Sequence, residues 1–253
     1  NRYMDLSRQP SIGRMRAQHA ELARRLGADL PVVTFAGDPD CPDGLFPNNV
    51  FATTRERAII GSMRHAVRRR EAERADIRRF LGELLGYREI DLSGARFTAE
   101  LTGALCIDRA RGIGYCGLSE RCDADGARAM HEAFGLRLTF AFPLAPGEYH
   151  ANVVLAILAG RVALLAADGF ANRRDAEAIA RVYGEGSVWL DPQQKRAFAA
   201  NAIALSPSRA WFSATAVRAL RPGQRDVLAR HGLEVAGVEL DEIEKAGGSL
   251  RCC

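Results

Sequence analysis

Lysine is nearly absent from this chain. Of 35 basic residues only Lys195 and Lys245 are lysines, which leaves 33 arginines. Arginine suits carboxylate recognition and surface ion pairs, although genomic base composition accounts for the excess equally well. Long hydrophobic runs are missing too. Arg161 breaks the longest apolar tract, so no segment reaches the length of a transmembrane helix, and no membrane partner is expected. No basic-then-apolar leader opens the chain, which begins at Asn1 rather than Met, so trimmed ends are expected. Cysteines number six (41, 106, 116, 122, 252 and 253), too few for a disulfide scaffold in a chain this long. No CxxC pair accompanies a suitably spaced histidine, which argues against a structural zinc site. Reduced thiols and a cytoplasmic location are the expectation. An acid-free cationic face is also lacking. The arginine-rich stretch "TTRERAIIGSMRHAVRRREAERADIRRF" interleaves Glu71, Glu73 and Asp76, with Arg69/Glu73 and Glu71/Arg74 at helical contact spacing. It reads as a solvated, salt-laced helix and not as a nucleic-acid interface.

What remains is an ordinary globular composition, 47% hydrophobic and 26% charged with a net charge of +4, and room in 253 residues for one large domain or two small ones. A repeat decides between them. "NVFATTRERAIIGSM" from Asn49, "GALCIDRARGIGYCG" from Gly103, "NVVLAILAGRVALLA" from Asn152 and "NAIALSPSRAWFSAT" from Asn201 each read as a small residue, an apolar strand, a short turn and a second apolar strand. Their starts lie 54, 49 and 49 residues apart, a period that marks a repeated supersecondary unit.

The flanks repeat as well. Strand candidates "PVVTF", "REIDL", "LRLTFAF" and "SVWL" precede the hairpins, and helical stretches at 68–85, 123–134, 173–183 and 222–231 follow them. Asp123 and Asn172 suit N-caps, and Gly135 and Gly232 suit C-terminal stops. A fifth unit begins at "LEVAGVEL" and runs into "EKAGGSLRCC". The loose helical stripe of "SIGRMRAQHAELARRLG" supplies its helix and joins the two ends of the chain. Five ββαβ-like units of α/β type, closed into a ring about a pseudo-fivefold axis, bury the hairpins near the axis and leave the helices outside. The prediction is one α/β propeller domain spanning residues 1–253.

In such a ring the equivalent strand starts converge at one end of the axis, where a small-molecule site forms. Those positions hold Asn48 and Asn49, Glu100, His150 and Asn152, then Cys252. A cysteine, a histidine and a carboxylate are the parts for nucleophilic catalysis: the thiolate attacks, the imidazole moves protons, and the carboxylate fixes the ring's tautomer.

The arrangement resembles the pentein superfamily of guanidino-modifying enzymes, which includes arginine deiminases, dimethylarginine hydrolases, agmatine deiminases and amidinotransferases. "FPNN" at 46–49, "AELTG" at 99–103, "GLSER" at 117–121, "YHANV" at 149–153 and "GGSLRC" at 247–252 stand in that family's order. The wording is most similar to the amidinotransferase-like branch that includes citrulline-degrading hydrolases. The resemblance implies that Cys252 is the nucleophile, His150 the general acid/base and Glu100 its supporting carboxylate. It implies that Arg121 grips a substrate α-carboxylate and that Phe46, Asn48, Asn49 and Asn152 line the substrate pocket. It also implies that no metal or organic cofactor is needed. Asn49 and Asn152 stand where arginine-using relatives carry aspartates, and two amides lean toward a neutral ureido group, as in citrulline. Leu101 replaces a glycine common in the superfamily.

The expected activity is cysteine-dependent hydrolysis of a non-peptide C–N bond in a guanidino or ureido amino acid. Transfer of the amidino group to an amine and a non-catalytic binding role on the same fold stand as alternatives. A homodimer is compatible with either. Asn48 reads equally as a turn cap, and Asn201 as a shared turn residue. Asp43 and Asp108 read as turn residues as readily as pocket residues, and Arg251 as substrate contact or packing. His19, His65, His131 and His231 have no partners in the pattern, and Cys253 reads as structural.

Overall fold

The structure is a computed structural model that describes residues 3, 4, 7 and 9–253. Its β-structure is four sheets of three strands with one plan. Strands β1 (Phe51–Thr54) and β2 (Arg57–Ile60) form an antiparallel hairpin, and β3 (Arg88–Asp91) adds parallel to β2. The same order recurs in β4 (Leu105–Asp108), β5 (Ile113–Leu118) and β6 (Leu138–Pro143). It recurs again in β7 (Leu155–Leu158), β8 (Val162–Leu165) and β9 (Ser187–Trp189). The last is β10 (Ile203–Ala204), β11 (Arg209–Ser213) and β12 (Glu234–Val238). All four hairpins stand where the repeat puts them.

The third strand of each sheet belongs to the hairpin before it, because the intervening helix carries the chain back for a parallel crossover. This is why "PVVTF" fails as a strand. Among the described residues no hairpin precedes it, and residues 31–35 run without regular structure, with Val32 and Val33 exposed. "REIDL", "LRLTFAF" and "SVWL" each have a hairpin to join.

The helices Ala124–Phe134, Arg173–Tyr183 and Pro222–Arg230 follow the reading closely. Asp123 caps the first through Gly126 N, and Asn172 caps the second through Arg174 N. Gly135 ends the first at φ +62°, a left-handed stop that favours glycine. The 68–85 stretch differs. It is broken into short turns, Ala66–Arg69, Arg70–Glu73, Ala75–Arg79 and Phe80–Leu84, the last wound wider than an α-helix. The break shifts its ion pairs to Arg68–Glu71 and Arg74–Asp76. The first is no solvated pair. Arg68 and Glu71 are both buried, Nε to Oε1 at 2.6 Å, and Arg68 also donates to the Phe46 carbonyl. Removing one member of a buried pair strands the other charge, so Glu71→Ala should cost about 3–5 kcal/mol in denaturant unfolding.

The inner strands β4, β7 and β10 lie side by side, and the β7–β8 hairpin is buried on both faces. That burial explains its unbroken apolar runs, since a strand covered on both sides has no polar face. At the chain ends, helix α1 (Ile12–Leu26) packs on the short helix Asp241–Glu244 and on β12. Arg14 pairs with Asp241, and Leu22 joins a core with Trp211, Leu240, Ile243 and Cys252. Among the described residues no helix is long and apolar enough to cross a membrane.

Candidate active site

Each hairpin is entered through a tight turn, and these turns present the site's side chains. The turn Pro47–Asn49 precedes β1, Leu101–Ala104 precedes β4, and Ala151–Val153 precedes β7. Phe46, Asn49, His150, Arg121 and Cys252 line one cavity of about 690 Å³, part of it open to solvent. Asp43, His65, Arg68, Tyr149 and the Gly247–Gly248 backbone complete most of its wall.

Glu100 lies behind this wall with no exposure. Its Oε2 stands 2.7 Å from His150 Nε2. The Arg64 backbone N–H donates to Oε1 at 3.2 Å, and Arg121 Nη1 reaches both oxygens at 3.2 to 3.3 Å. Burial alone would raise this carboxyl, but the hydrogen bond and charge of His150, the Arg121 guanidinium and the Arg64 N–H outweigh it and hold it at about 2. His150, 3% exposed, is shifted downward as well. Burial lowers its imidazole, and Glu100 opposes this without reversing it. The pair thus rests as an anionic carboxylate and a neutral ring. An ionised carboxylate only accepts, so Nε2 carries the proton and Nδ1 is left as the base. The Tyr149 ring lies 4.8 Å from the imidazole between centroids, and its hydroxyl donates to the Gly247 carbonyl.

Cys252 is 4% exposed, and burial raises its thiol above the ordinary value. The Asn201 amide lies 3.4 Å from its sulfur and the Asn152 amide 3.9 Å. Burial pushes the Cys253 thiol well up too.

The structure thus brings Cys252, His150, Arg121, Asn49 and Phe46 to one cavity, with Glu100 directly behind. Asn152 is placed otherwise. It is fully buried beside the sulfur and does not line the cavity. Asn48 does not line it either; its carbonyl accepts from Thr102 Oγ1. Asn49 satisfies its neighbours best with Nδ2 donating to Phe46 O and Oδ1 accepting from Arg68 Nη1. Arg121 divides its guanidinium between Glu100 and Glu120. Leu101, at φ +23°, turns the chain sharply after Glu100, which explains the glycine common there; full burial of its side chain offsets the strain.

Arg68 and His65 escaped the sequence reading. Arg68 was assigned to a solvated helix, and only the break in that helix turns it inward. His65 lines the cavity, and its Nε2 lies 3.8 Å from Glu120 Oε1. Asp43 also lines it, whereas Asp108 is a fully buried turn residue bonded to Arg111 and Tyr183. The repeat carried a signal for Asn201, which shares its position with Asn152. Among the described residues no group of three or more His, Cys, Asp or Glu side chains is placed to hold a metal ion.

Residues 1–253 match the model of the family described as N,N dimethylarginine dimethylhydrolase, eukaryotic. The Bacillus subtilis (strain 168) protein YkgA is 25% identical over 240 residues, 93% of this chain and 77% of its own. Among solved structures, the N-terminal domain of ArgZ, a cyanobacterial arginine dihydrolase, superposes with a TM-score of 0.84 at 19% identity, covering 96% of this chain and 86% of that one. A dimethylarginine dimethylaminohydrolase superposes at 0.77 with 24% identity, covering 96% and 90%. At these identities the superpositions speak for the fold, an α/β arrangement of small sheets and helices.

Proposed function

Because the chain belongs to the N,N-dimethylarginine dimethylhydrolase family, we propose that it hydrolyses a non-peptide C–N bond in the guanidino group of an arginine-like small molecule, with Cys252 as nucleophile. The observation that carries this reading is the joint exposure of Cys252 and His150 to one cavity, with Glu100 at 2.7 Å behind the ring. The four sheets, with α1 and the terminal segment as a fifth unit, form one five-bladed propeller domain. Side-by-side β4, β7 and β10 support that ring, as does the packing of α1 on Asp241–Glu244.

The cavity favours a cation. The lean toward a neutral ureido group rested on two amides facing the substrate, but Asn152 stands behind the sulfur while Asp43 lines the wall. A guanidinium near Asp43 and the Glu100 charge gains more than a urea. It also lowers the cost of ionising the buried thiol beside it. Arg68 and Arg121 give the same cavity a cationic side for a carboxylate tail.

The Cys252 sulfur attacks the central guanidino carbon, and its proton passes to His150 Nδ1. The ring returns that proton to the leaving nitrogen as the C–N bond breaks, leaving an S-linked thiouronium. Water, deprotonated by His150 Nδ1, then attacks the carbon; the C–S bond breaks, a ureido product leaves, and the sulfur takes back its proton from Nδ1. Glu100 holds the imidazole and faces the charge it gains in both halves.

The test is mass spectrometry of the protein incubated separately with arginine, methylarginines, agmatine and citrulline, alongside an assay for released amine. A trapped adduct mapped to Cys252, with turnover abolished in Cys252→Ala, is expected from at least one guanidine. Wild-type protein that forms no adduct and releases no amine from any of them would sink the proposal. Adduct formation that turns over only with an added amine acceptor would favour amidino transfer.

A further inference from the structure

Three of the four hairpins open on an asparagine at one position, Asn49, Asn152 and Asn201, and only Asn49 reaches the cavity. Asn201 is fully buried and does not touch the place where substrate would lie. Its surroundings fix the orientation of its amide. The Arg251 backbone N–H donates to Oδ1 at 3.0 Å, so Oδ1 must face that donor. Nδ2 then faces two acceptors, the Asn152 carbonyl at 3.0 Å and the Cys252 sulfur at 3.4 Å. Oδ1 itself lies 3.6 Å from the same sulfur.

We propose that Asn201 is the positioning residue for the attacking sulfur, holding the thiol through Oδ1 and the thiolate through Nδ2. A primary amide suits both protonation states, because the S–H can donate to its oxygen and the anion can accept from its nitrogen. A carboxylate in the same place would repel the anion and leave the Asn152 carbonyl facing another acceptor. The bond to Arg251 N also pins the terminal segment, in which Cys252 N already donates to Ser249 O at 2.9 Å. One side chain of the fourth unit therefore sets both the loop that carries the nucleophile and the sulfur itself. Asn152 Nδ2, at 3.9 Å, stands as a second and weaker donor. The titratable and charged groups around the sulfur are Arg251 and Cys253 beside it in the chain, Tyr149 and His150 in the cavity wall, and Glu244 beyond Cys253.

This assignment rests on the reading of Cys252 as the nucleophile, so its test uses a readout that needs no substrate. The rate of Cys252 alkylation by iodoacetamide is followed against pH, with peptide mass spectrometry separating it from the five other cysteines. In Asn201→Ala the half-point should move up by about one pH unit, and the rate near neutrality should fall roughly tenfold, as expected for losing a hydrogen bond to a charged group. Asn201→Asp keeps the acceptor for Arg251 N and so guards against simple unfolding of the loop. At the alkaline pH where the thiol titrates, its new carboxylate is ionised, and the half-point should rise at least as far. Amine release should fall through kcat with KM little changed. A merely structural asparagine would lower the melting temperature and leave the alkylation profile in place. That result, in either folded variant, overturns the proposal even if the wild type is an active hydrolase. A wild type that releases no amine overturns the hydrolase reading and leaves the alkylation comparison intact.

Discussion

Glu100→Gln should lower turnover by about four orders of magnitude, as loss of the correct imidazole tautomer does in histidine-dependent hydrolases. The substitution keeps the shape of the side chain and changes what it can accept. Glu100 takes hydrogen bonds from His150 Nε2 at 2.7 Å, from Arg64 N and from Arg121 Nη1. All three partners donate, so a glutamine must turn its NH₂ toward at least one of them. If it turns toward His150, the ring proton moves to Nδ1 and the base is lost. If it turns toward the Arg64 N–H, that donor loses its acceptor; in either orientation Arg121, 13% exposed, loses its buried counter-charge. Desolvating the carboxylate costs stability that the substitution restores, but Arg121 is left with only the exposed Glu120 as its partner, and a net loss of about 1–3 kcal/mol is expected in denaturant unfolding.

The pH dependence of stability should change with it. The folded value of about 2 lies below the ordinary 4.5, so the unfolded chain takes up the proton first. Stabilisation by Glu100 is complete above about pH 4.5 and lost as pH falls toward 2. Glu100→Gln should therefore flatten the acid limb of the stability curve. Full activity in a folded Glu100→Gln protein would remove the carboxylate from the mechanism.

How much of this was legible in the sequence follows from which interactions are local. The hairpins were readable because each apolar strand and its turn lie within about fifteen residues, and the β7–β8 pair advertises burial through unbroken apolar runs. The meeting of Glu100, His150 and Cys252 was readable only through the repeat, which converts equivalent positions in distant units into neighbours in space. What failed did so where a long-range partner overrides local pattern. The charge spacing of residues 68–76 looked like a solvated helix, but the Phe46 carbonyl and Glu71 hold Arg68 inside. "PVVTF" has strand composition and no sheet edge to join. Asn152 and Asn201 shared a position with Asn49, yet side-chain direction at the end of each strand sent one to the cavity and two to the sulfur.

The same register explains the fourth unit's counterpart at Gly103. Where the other hairpins open on asparagine, the second has no side chain, because the His150 imidazole occupies that space. A Cβ on Gly103 would lie 2.9 Å from the ring's Cε1 and Nε2 and 3.0 Å from Cδ2. Such contacts are closer than packed atoms tolerate, so the ring must move. It has little freedom to do so, with the Tyr149 ring at 4.8 Å and the Glu100 carboxylate at 2.7 Å. The backbone raises no objection. Gly103 lies in the short helix Leu101–Ala104, where alanine is favoured over glycine by about 1 kcal/mol. Gly103→Ala should thus stay folded at a cost of about 1–3 kcal/mol, since helix propensity only partly offsets the overpacking, and fail as a catalyst. A displacement of about 1 Å at a proton-transfer group costs on the order of a hundredfold in kcat. KM should change little on the proposed roles, in which the ring moves protons and other walls of the cavity hold the substrate's charged ends. A crystal structure of the variant should show the imidazole rotated off Glu100. Wild-type kcat with the imidazole still on Glu100 would mean that the site tolerates a methyl group there, and that the missing side chain in the second unit has nothing to do with His150.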